Sequence, residues 1–233
     1  MTFQPSELIN QIHAIPDHPH RAKVTLAYAQ SLDGSIATRS GETLKLSNQE
    51  SIGLTHALRA IHDGILVGIG TILADNPALT NRLSGSSQPR PLILDSNLRT
   101  PHDSRVFDHP LPPLIACAPD APEQDEKRLS ASGAMIVKVK RTNDDLLDLS
   151  EFLKLCKDRG LNRIMLEGGA EVITSALAAN LVDFLVITIS PRIIGGYRAP
   201  NRNVSPSSYL SAPNWANLEG DGLIWGELSR ERK

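Results

Sequence analysis

The chain has 233 residues, of which 40% are hydrophobic and 21% charged, so its composition is that of a folded globular protein and not of a disordered one. Its length suits one large α/β domain with a substantial core, and its net charge of -2 gives no electrostatic reason to expect nucleic acid binding. The two cysteines, Cys117 and Cys156, share no motif, so neither a disulfide framework nor a zinc site is implied, and a reducing compartment is the simplest expectation.

The N-terminal segment gives no sign of export. It lacks a cationic region followed by a long apolar run, and no stretch of about 18 apolar residues occurs anywhere in the chain. We therefore expect no secretion and no membrane contact, and a cytoplasmic location. Residues 1–22 are interpreted as an N-terminal extension and residues 23–233 as a single domain.

Short β-branched runs alternate with segments of helical spacing, which is typical of a layered α/β fold. The segment 222–229 is a candidate for an antiparallel strand added at the end. The other predicted strands, in chain order, are 23–29, 64–68, 91–95, 113–118, 134–139, 163–167 and 184–190.

Three helices are predicted between these strands. Ser47 and Glu50 form a capping box that begins a helix running through residues 51–62. A second helix covers 148–160 and ends at Gly160, and a third covers 170–180. The polar, Pro-rich segments 83–91 and 118–127 are predicted to be loops.

Two segments share one layout, in which an apolar strand ends in glycines and a helix follows. They are "ILVGIGTILAD" (65–75) and "IMLEGGAEVITSAL" (164–177). Ligands of open α/β sheets lie at the carboxyl ends of the strands, where a helix N-terminus offers free N–H groups to a phosphate. The alternative is that these glycines only make tight turns between strand and helix.

Familiar nucleotide and metal motifs are missing. Leu73 stands where the third glycine of a Rossmann fingerprint would follow Gly68 and Gly70, and no Gly-Lys-Ser/Thr triplet of a P-loop occurs. The histidines lack metal-ligand spacing, and the His and Cys pattern of a zinc deaminase is absent. A dinucleotide would have to bind by another scheme.

Other polar residues also follow predicted strands. Asp33-Gly34 is a strong turn signal. A plain surface turn explains this dipeptide as well as a functional role does. Asp95-Ser96 forms a possible oxygen-rich strand end. Arg59 and Arg82 flank the first glycine segment and suit a phosphate monoester, although most such arginines are simply solvated.

Four segments together resemble the pyrimidine reductase family of riboflavin biosynthesis, in order and spacing: "TLAYAQSLDG", "THALRAIHDGILVGIGTILADNPALTNR", "RPLILDS" and "MLEGGAEVITSALAANLVD". This family includes the C-terminal half of the bacterial bifunctional deaminase-reductase and the stand-alone fungal and archaeal reductases. The resemblance runs from Lys23 to the end of the chain. It implies a three-layer α/β fold similar to dihydrofolate reductase, with a mixed, mostly parallel sheet, helices on both faces, and usually a homodimer.

The resemblance also implies an activity. It is NADPH-dependent reduction of the ribosylamino group of 2,5-diamino-6-ribosylamino-4-pyrimidinone 5′-phosphate, or of its deaminated uracil counterpart, to a ribitylamino group. A separate protein would supply the deaminase step. No metal is implied, and no residue is identified as the catalytic acid.

Site residues follow from the same resemblance. Arg59 and Arg82 are expected to hold the 5′-phosphate of the substrate. The full set of implied substrate contacts is Thr43, Arg59, Leu79, Arg82 and Glu167. The implied cofactor contacts are Gln30, Thr71, Asp75, Ser96, Gly168, Gly169, Ala170, Glu171 and Val172.

Three positions depart from the family pattern. Ala27 stands where bifunctional enzymes tend to have Lys and archaeal ones Asn, Lys45 stands where Trp is often found, and Ser35 replaces a frequent Lys. Two alternatives stay open: a paralogous NADPH-dependent reductase of another pteridine- or pyrimidine-like ring, or a nucleotide-binding subunit without catalysis. The presence of Arg59, Arg82 and Glu167 together favours an enzyme, because a pure cofactor binder does not need substrate ligands.

Overall fold

The structure is a computed structural model that describes residues 3–83, 85, 87–202, 204 and 208–229. Six α-helices are found in these residues: α1 (Pro5–Ala14), α2 (Gln49–Ala60), α3 (Ile69–Asp75), α4 (Glu123–Ala131), α5 (Leu149–Asp158) and α6 (Ala170–Ala178). The strands are β1 (Lys23–Ser31), β2 (Ser35–Ala37), β3 (Gly64–Gly68), β4 (Arg90–Leu94), β5 (Leu114–Cys117), β6 (Met135–Lys138), β7 (Arg163–Gly168), β8 (Phe184–Ser190), β9 (Tyr197–Arg198), β10 (Tyr209–Leu218) and β11 (Asp221–Ser229).

One mixed, mostly parallel sheet organises the described residues, in the order β10-β11-β8-β1-β7-β3-β4-β5-β6. The strands from β8 to β6 in this order run parallel, whereas β11 pairs antiparallel with β8 and with β10. All seven predicted parallel strands form, and the antiparallel strand at 222–229 is confirmed as part of β11. Its partner β10 was not predicted, because most of its residues are exposed or partly exposed and no alternating pattern marks it.

Alternating side chains of the sheet enter separate cores on its two faces. In β3, Leu66 packs into a core with α5 and α6, while Ile65 and Val67 point to the opposite face, which α3 and α4 cover. A third cluster on that opposite face joins α1 and α2 to β8 and β11, with Leu8 fully buried. Helices on both faces of a parallel sheet bury its strands from both sides, as the three-layer prediction requires.

Several element boundaries differ from the prediction. Helix α2 is capped by Asn48 and not by Ser47, since the Asn48 side chain accepts a hydrogen bond from the Ser51 amide at 2.9 Å. Helix α4 begins inside the segment predicted as a loop. The prediction missed it because the helix buries a single apolar side chain, Leu129, and its charged sequence shows no helical period. Helix α5 ends at Asp158, and Gly160 follows its C-cap with a φ of 81°.

The N-terminal segment is folded onto the domain. Arg21 forms two hydrogen bonds with the Asp183 carboxylate, at 2.7 and 2.8 Å, and both side chains are largely buried.

Cys117 and Cys156 are buried free thiols. Among the described residues, every helix is too short or too polar to cross a bilayer.

Candidate active site

A cavity of about 640 Å³ lies at the carboxyl ends of β1, β7, β3 and β4. Parallel strands bring their carboxyl ends to one edge, so segments far apart in the chain meet there. The predicted site residues that line the cavity are Thr43, Arg59, Thr71, Asp75, Leu79, Ser96, Glu167, Gly168, Gly169, Ala170, Glu171 and Val172. Gln30 and Arg82 are not among its lining residues.

The two glycine turns touch each other at the floor of this cavity. A Cβ atom on Gly68 would lie 2.8 Å from Cγ2 of Val172, so only glycine permits this approach of β3 to α6. Gly169 has a φ of 88°, a backbone conformation that side chains with a Cβ rarely adopt. Because no side chain caps the N-terminus of α6, its first turn is open to an anionic ligand.

An ion pair, Arg59–Glu167, also lines the cavity, and Glu167 immediately precedes the second glycine turn. The Glu167 carboxylate accepts hydrogen bonds from Nε of Arg59 at 2.6 Å and from Nη2 at 2.5 Å, and the Thr80 carbonyl accepts one from Nη1 at 2.7 Å. Burial alone would lower the pKa of Arg59, but the adjacent Glu167 carboxylate raises it. These contacts engage three of the five guanidinium N–H groups, which leaves donors for a ligand.

Arg82 is exposed and follows the buried Asn81. Its backbone amide donates to Nδ1 of the buried His56 at 3.3 Å. Burial lowers the pKa of His56, and the positive charges of Arg59 and Arg82 lower it further. Arg82 thus lies beside His56 and does not line the cavity.

Residues at the rim connect separate loops. The Thr43 hydroxyl donates a hydrogen bond to the Asp75 carboxylate at the end of α3. Leu79 is buried with a φ of 52°, which costs backbone energy in a residue with a side chain. Gln30, by contrast, lies on β1 beside Ile189 and is half-buried away from the cavity lining.

The cavity also includes residues that sequence reasoning missed. Tyr28 and Tyr197 line it, as do Arg39 and Arg99. Burial raises the pKa of Tyr28 to about 12, so its hydroxyl stays protonated at neutral pH. Arg99 could have been predicted at the cavity, because it follows β4 closely after Ser96. Nothing in the sequence indicates that the distant Tyr197 lines the cavity.

Asp95, the neighbour of Ser96, is turned away from the cavity. Its side chain is fully buried, and Oδ2 accepts hydrogen bonds from the amide and the hydroxyl of Thr100 at 2.7 and 2.8 Å. Of the oxygen-rich strand end that the sequence indicates, only Ser96 faces the cavity.

Ala27 leaves space beside the ion pair. A side chamber of about 180 Å³ adjoins the main cavity at Tyr28 and Glu167 and includes Ala27 in its lining. Hydroxyl groups of Ser47, Thr55 and Thr188 add polar atoms to its walls. Position 27 therefore opens a polar recess in this chain, where a lysine side chain would fill it.

Residues 22–215 match the family model described as the RibD C-terminal domain, which accounts for most of the chain. The chain belongs to this family. Among the described residues, no group of three or more His, Cys, Asp or Glu side chains is placed to hold a metal ion.

Relatives within the RibD C-terminal domain family cover most of the chain. A protein of Debaryomyces hansenii, named 2,5-diamino-6-ribosylamino-4(3H)-pyrimidinone 5′-phosphate reductase, is 37% identical over 228 residues, covering 90% of this chain and 91% of its own. The riboflavin biosynthesis reductase Rib7 of Saccharomyces cerevisiae superposes with a TM-score of 0.75 at 28% identity, covering 97% of this chain and 99% of the other.

The fold extends to a more distant enzyme. Dihydrofolate reductase of Enterococcus faecalis superposes with a TM-score of 0.51 at 14% identity over 88% of this chain and 96% of its own. Together with Rib7, this likeness confirms the predicted dihydrofolate reductase-like fold.

Proposed function

We propose that this RibD-family protein is an NADPH-dependent reductase of riboflavin biosynthesis, acting on 2,5-diamino-6-ribosylamino-4-pyrimidinone 5′-phosphate or on its deaminated uracil counterpart. The observation that carries the proposal is one cavity lined both by an uncapped glycine turn at α6 and by the Arg59–Glu167 pair. The name of the Debaryomyces hansenii relative supports the same substrate class.

The cofactor end fits a dinucleotide. Gly168, Gly169 and the first turn of α6 offer backbone N–H groups to the diphosphate, and the packing at Gly68 brings the two turns into contact. Ser96 and Arg99 add a hydroxyl and a cation at the end of β4, which suits the extra phosphate of NADPH over NADH. When bound, the nicotinamide supplies a hydride to the substrate.

The substrate end has the groups that a phosphorylated aminosugar needs. In the reaction, the C1′–O4′ bond of the ribosylamino group opens, hydride reaches C1′, and a proton is added at O4′. Arg59 remains charged and can bind substrate oxygens, while Glu167 fixes the position of the guanidinium. Binding both ligands in one cavity aligns the hydride donor with its acceptor.

A homodimer in the cytoplasm, with a separate protein performing the deaminase step, completes the proposal. The alternatives are a paralogous reductase of another pteridine- or pyrimidine-like ring and a nucleotide-binding subunit without catalysis. Few aromatic residues are available to stack on a larger ring, since Phe, Trp and Tyr make up 4% of the chain.

The test is to mix purified protein with NADPH and each pyrimidine separately, and to follow loss of nicotinamide absorbance. Oxidation that depends on one pyrimidine identifies the substrate. A parallel reaction with NADH tests the cofactor preference, and one with dihydrofolate tests whether the protein is a paralogous reductase of another ring. If NADPH binds but neither pyrimidine causes oxidation, the proposed activity is wrong.

A further inference from the structure

A segment that we name the strap, residues 191–202, follows β8 and passes along the cavity. Its central residue Tyr197 contributes to the cavity lining, and it pairs with β2 through the short strand β9. Contacts hold the strap on both sides of Tyr197. Asp33 binds the preceding residues, and the first turns of α6 bind the following ones.

Asp33 accepts four hydrogen bonds in the described structure. Its Oδ1 accepts from the Ser31 hydroxyl at 2.6 Å and the Ile194 amide at 3.0 Å. Its Oδ2 accepts from the Ser35 hydroxyl at 2.8 Å and the Gly195 amide at 2.8 Å. An ionised carboxylate has lone pairs for all four donors, whereas a neutral amide of the same shape does not. These hydrogen bonds hold the pKa of Asp33 well below its usual range.

The next residue of the strap, Gly196, binds and packs against β2. The Gly196 amide donates to the Ser35 hydroxyl oxygen at 2.9 Å. A Cβ atom at Gly196 would lie 2.2 Å from the Ala37 carbonyl oxygen, so any larger residue would push the strap away from β2. Asp33, Ser35 and Gly196 thus determine where the chain stands immediately before Tyr197.

Beyond Tyr197, the strap binds the helix that begins at the second glycine turn. Asn201 donates through Nδ2 to the Tyr197 hydroxyl at 3.0 Å and to the Glu171 carboxylate at 3.1 Å. The Thr174 hydroxyl accepts a hydrogen bond from the Asn201 amide at 3.0 Å. Arg202 forms an ion pair with Glu171 as well. The strap therefore connects the Asp33 turn with the first turns of α6.

We propose that Asp33 is a positioning residue for the cofactor end of the site. By holding Ile194 and Gly195, its carboxylate sets the strap so that Asn201 binds both Tyr197 and α6. From sequence alone, Asp33-Gly34 could equally well be a plain surface turn. In this proposal the turn affects a ligand site that it does not touch. This inference rests on the proposed function insofar as the first turn of α6 binds the cofactor.

The test uses Asp33→Asn in the full chain, with Asp103→Asn as control because Asp103 is an exposed loop residue outside the cavity lining. Asparagine presents two N–H donors where amide and hydroxyl donors already point, so strap contacts are lost. We expect the NADPH dissociation constant, measured by fluorescence titration, to rise about tenfold, the effect of losing one charge-assisted hydrogen bond. The KM for the pyrimidine should change by less than about twofold, since the Arg59–Glu167 end is untouched.

Limited trypsin digestion gives a readout that needs no activity. Arg198 is exposed at the middle of the strap. We expect Asp33→Asn to be cleaved after Arg198 several times faster than the wild type, and Asp103→Asn to be cleaved at the wild-type rate. A merely structural role would lower the thermal midpoint and affect both substrates equally, without selective cleavage in the strap.

The outcomes separate this inference from the proposed function. A wild-type protein that binds NADPH but oxidises it with neither pyrimidine contradicts the proposed function and leaves the titration and digestion valid. Unchanged NADPH affinity and unchanged cleavage in a folded Asp33→Asn protein overturn the positioning role. If that variant does not fold, Ser35→Ala, which removes one donor to Asp33 and the acceptor for Gly196, is measured in the same way. Failure of both variants to fold also overturns it, because Asp33 would then serve the fold as a whole.

Discussion

The Glu167 carboxylate binds the Arg59 guanidinium at two points, with Oε1 2.6 Å from Nε and Oε2 2.5 Å from Nη2. The two residues are 108 positions apart, on the last turn of α2 and near the end of β7. Their side chains are only 15% and 12% exposed. This paired geometry fixes a cation at the wall of the cavity.

Replacing Glu167 by Gln leaves the Arg59 charge without its buried partner. We expect kcat/KM for the pyrimidine to fall on the order of 100-fold, while the NADPH dissociation constant changes by less than about threefold. The free energy of unfolding should also fall by roughly 2 kcal/mol, because an uncompensated charge remains buried. Steady-state kinetics, fluorescence titration and urea unfolding measure the three quantities.

The control for this variant is Glu123→Gln. Glu123 is in a surface pair with Lys127, and its side chain is 80% exposed, so all three quantities should stay at wild-type values. An equal loss of pyrimidine use and NADPH binding in Glu167→Gln would place Glu167 at the cofactor.

Arg82→Ala tests the second predicted phosphate ligand. Because Arg82 is exposed and outside the cavity lining, its removal should change the free energy of unfolding by no more than about 0.5 kcal/mol. The KM for the phosphorylated pyrimidine should nevertheless rise about tenfold, through loss of a charge-assisted contact. Arg105→Ala, another exposed arginine outside the cavity lining, is the control. Identical kinetics of the two variants would remove Arg82 from the substrate site.

Arg99→Ala tests the preference for NADPH. The Arg99 side chain is 57% exposed at the cavity, in the segment that follows Ser96. Removing its charge should raise the KM for NADPH about tenfold and leave the KM for NADH nearly unchanged, since only NADPH has the additional phosphate. Kinetics with the two cofactors measure the ratio. A loss shared equally by both cofactors would contradict the assignment to that phosphate.

His62 predicts a dependence of stability on pH. It is buried between the Leu58 carbonyl and the Thr25 hydroxyl, and burial lowers its pKa from 6.5 to about 4. Below about pH 6.5 the unfolded chain binds a proton at His62, whereas the folded chain does not bind it until about pH 4. The contribution of His62 to stability is therefore fully present above pH 6.5 and is lost as the pH falls from 6.5 to 4. The loss at pH 4 should approach about 3 kcal/mol.

The measurement is urea unfolding of wild type and His62→Gln between pH 4 and pH 8. The wild type should lose stability relative to the variant as the pH decreases, whatever the constant offset between them. Parallel curves for the two proteins would show that His62 does not contribute to the acid sensitivity.

Much of this fold could be predicted because its signals are local. Runs such as 64–68 and 184–190 are apolar and β-branched, and burial on both faces of a parallel sheet requires that composition. Helix α4 and strand β10 could not be found in this way. The first buries one leucine, and the second is largely exposed, so neither leaves a periodic pattern.

The sequence alone indicated the two glycine turns that line the cavity. Only glycine fits at position 68, where β3 packs closely against α6, and glycine is favoured at position 169, where φ is positive. Because these backbone requirements select glycine, they can be recognised in the sequence. Tertiary structure alone decided how the charged residues are used. Arg59 faces Glu167, Arg82 stays at the surface and Asp33 reaches the strap because strand order brings distant chain segments together. No local propensity records which side chains meet across a sheet edge, because that depends on the packing of the whole domain.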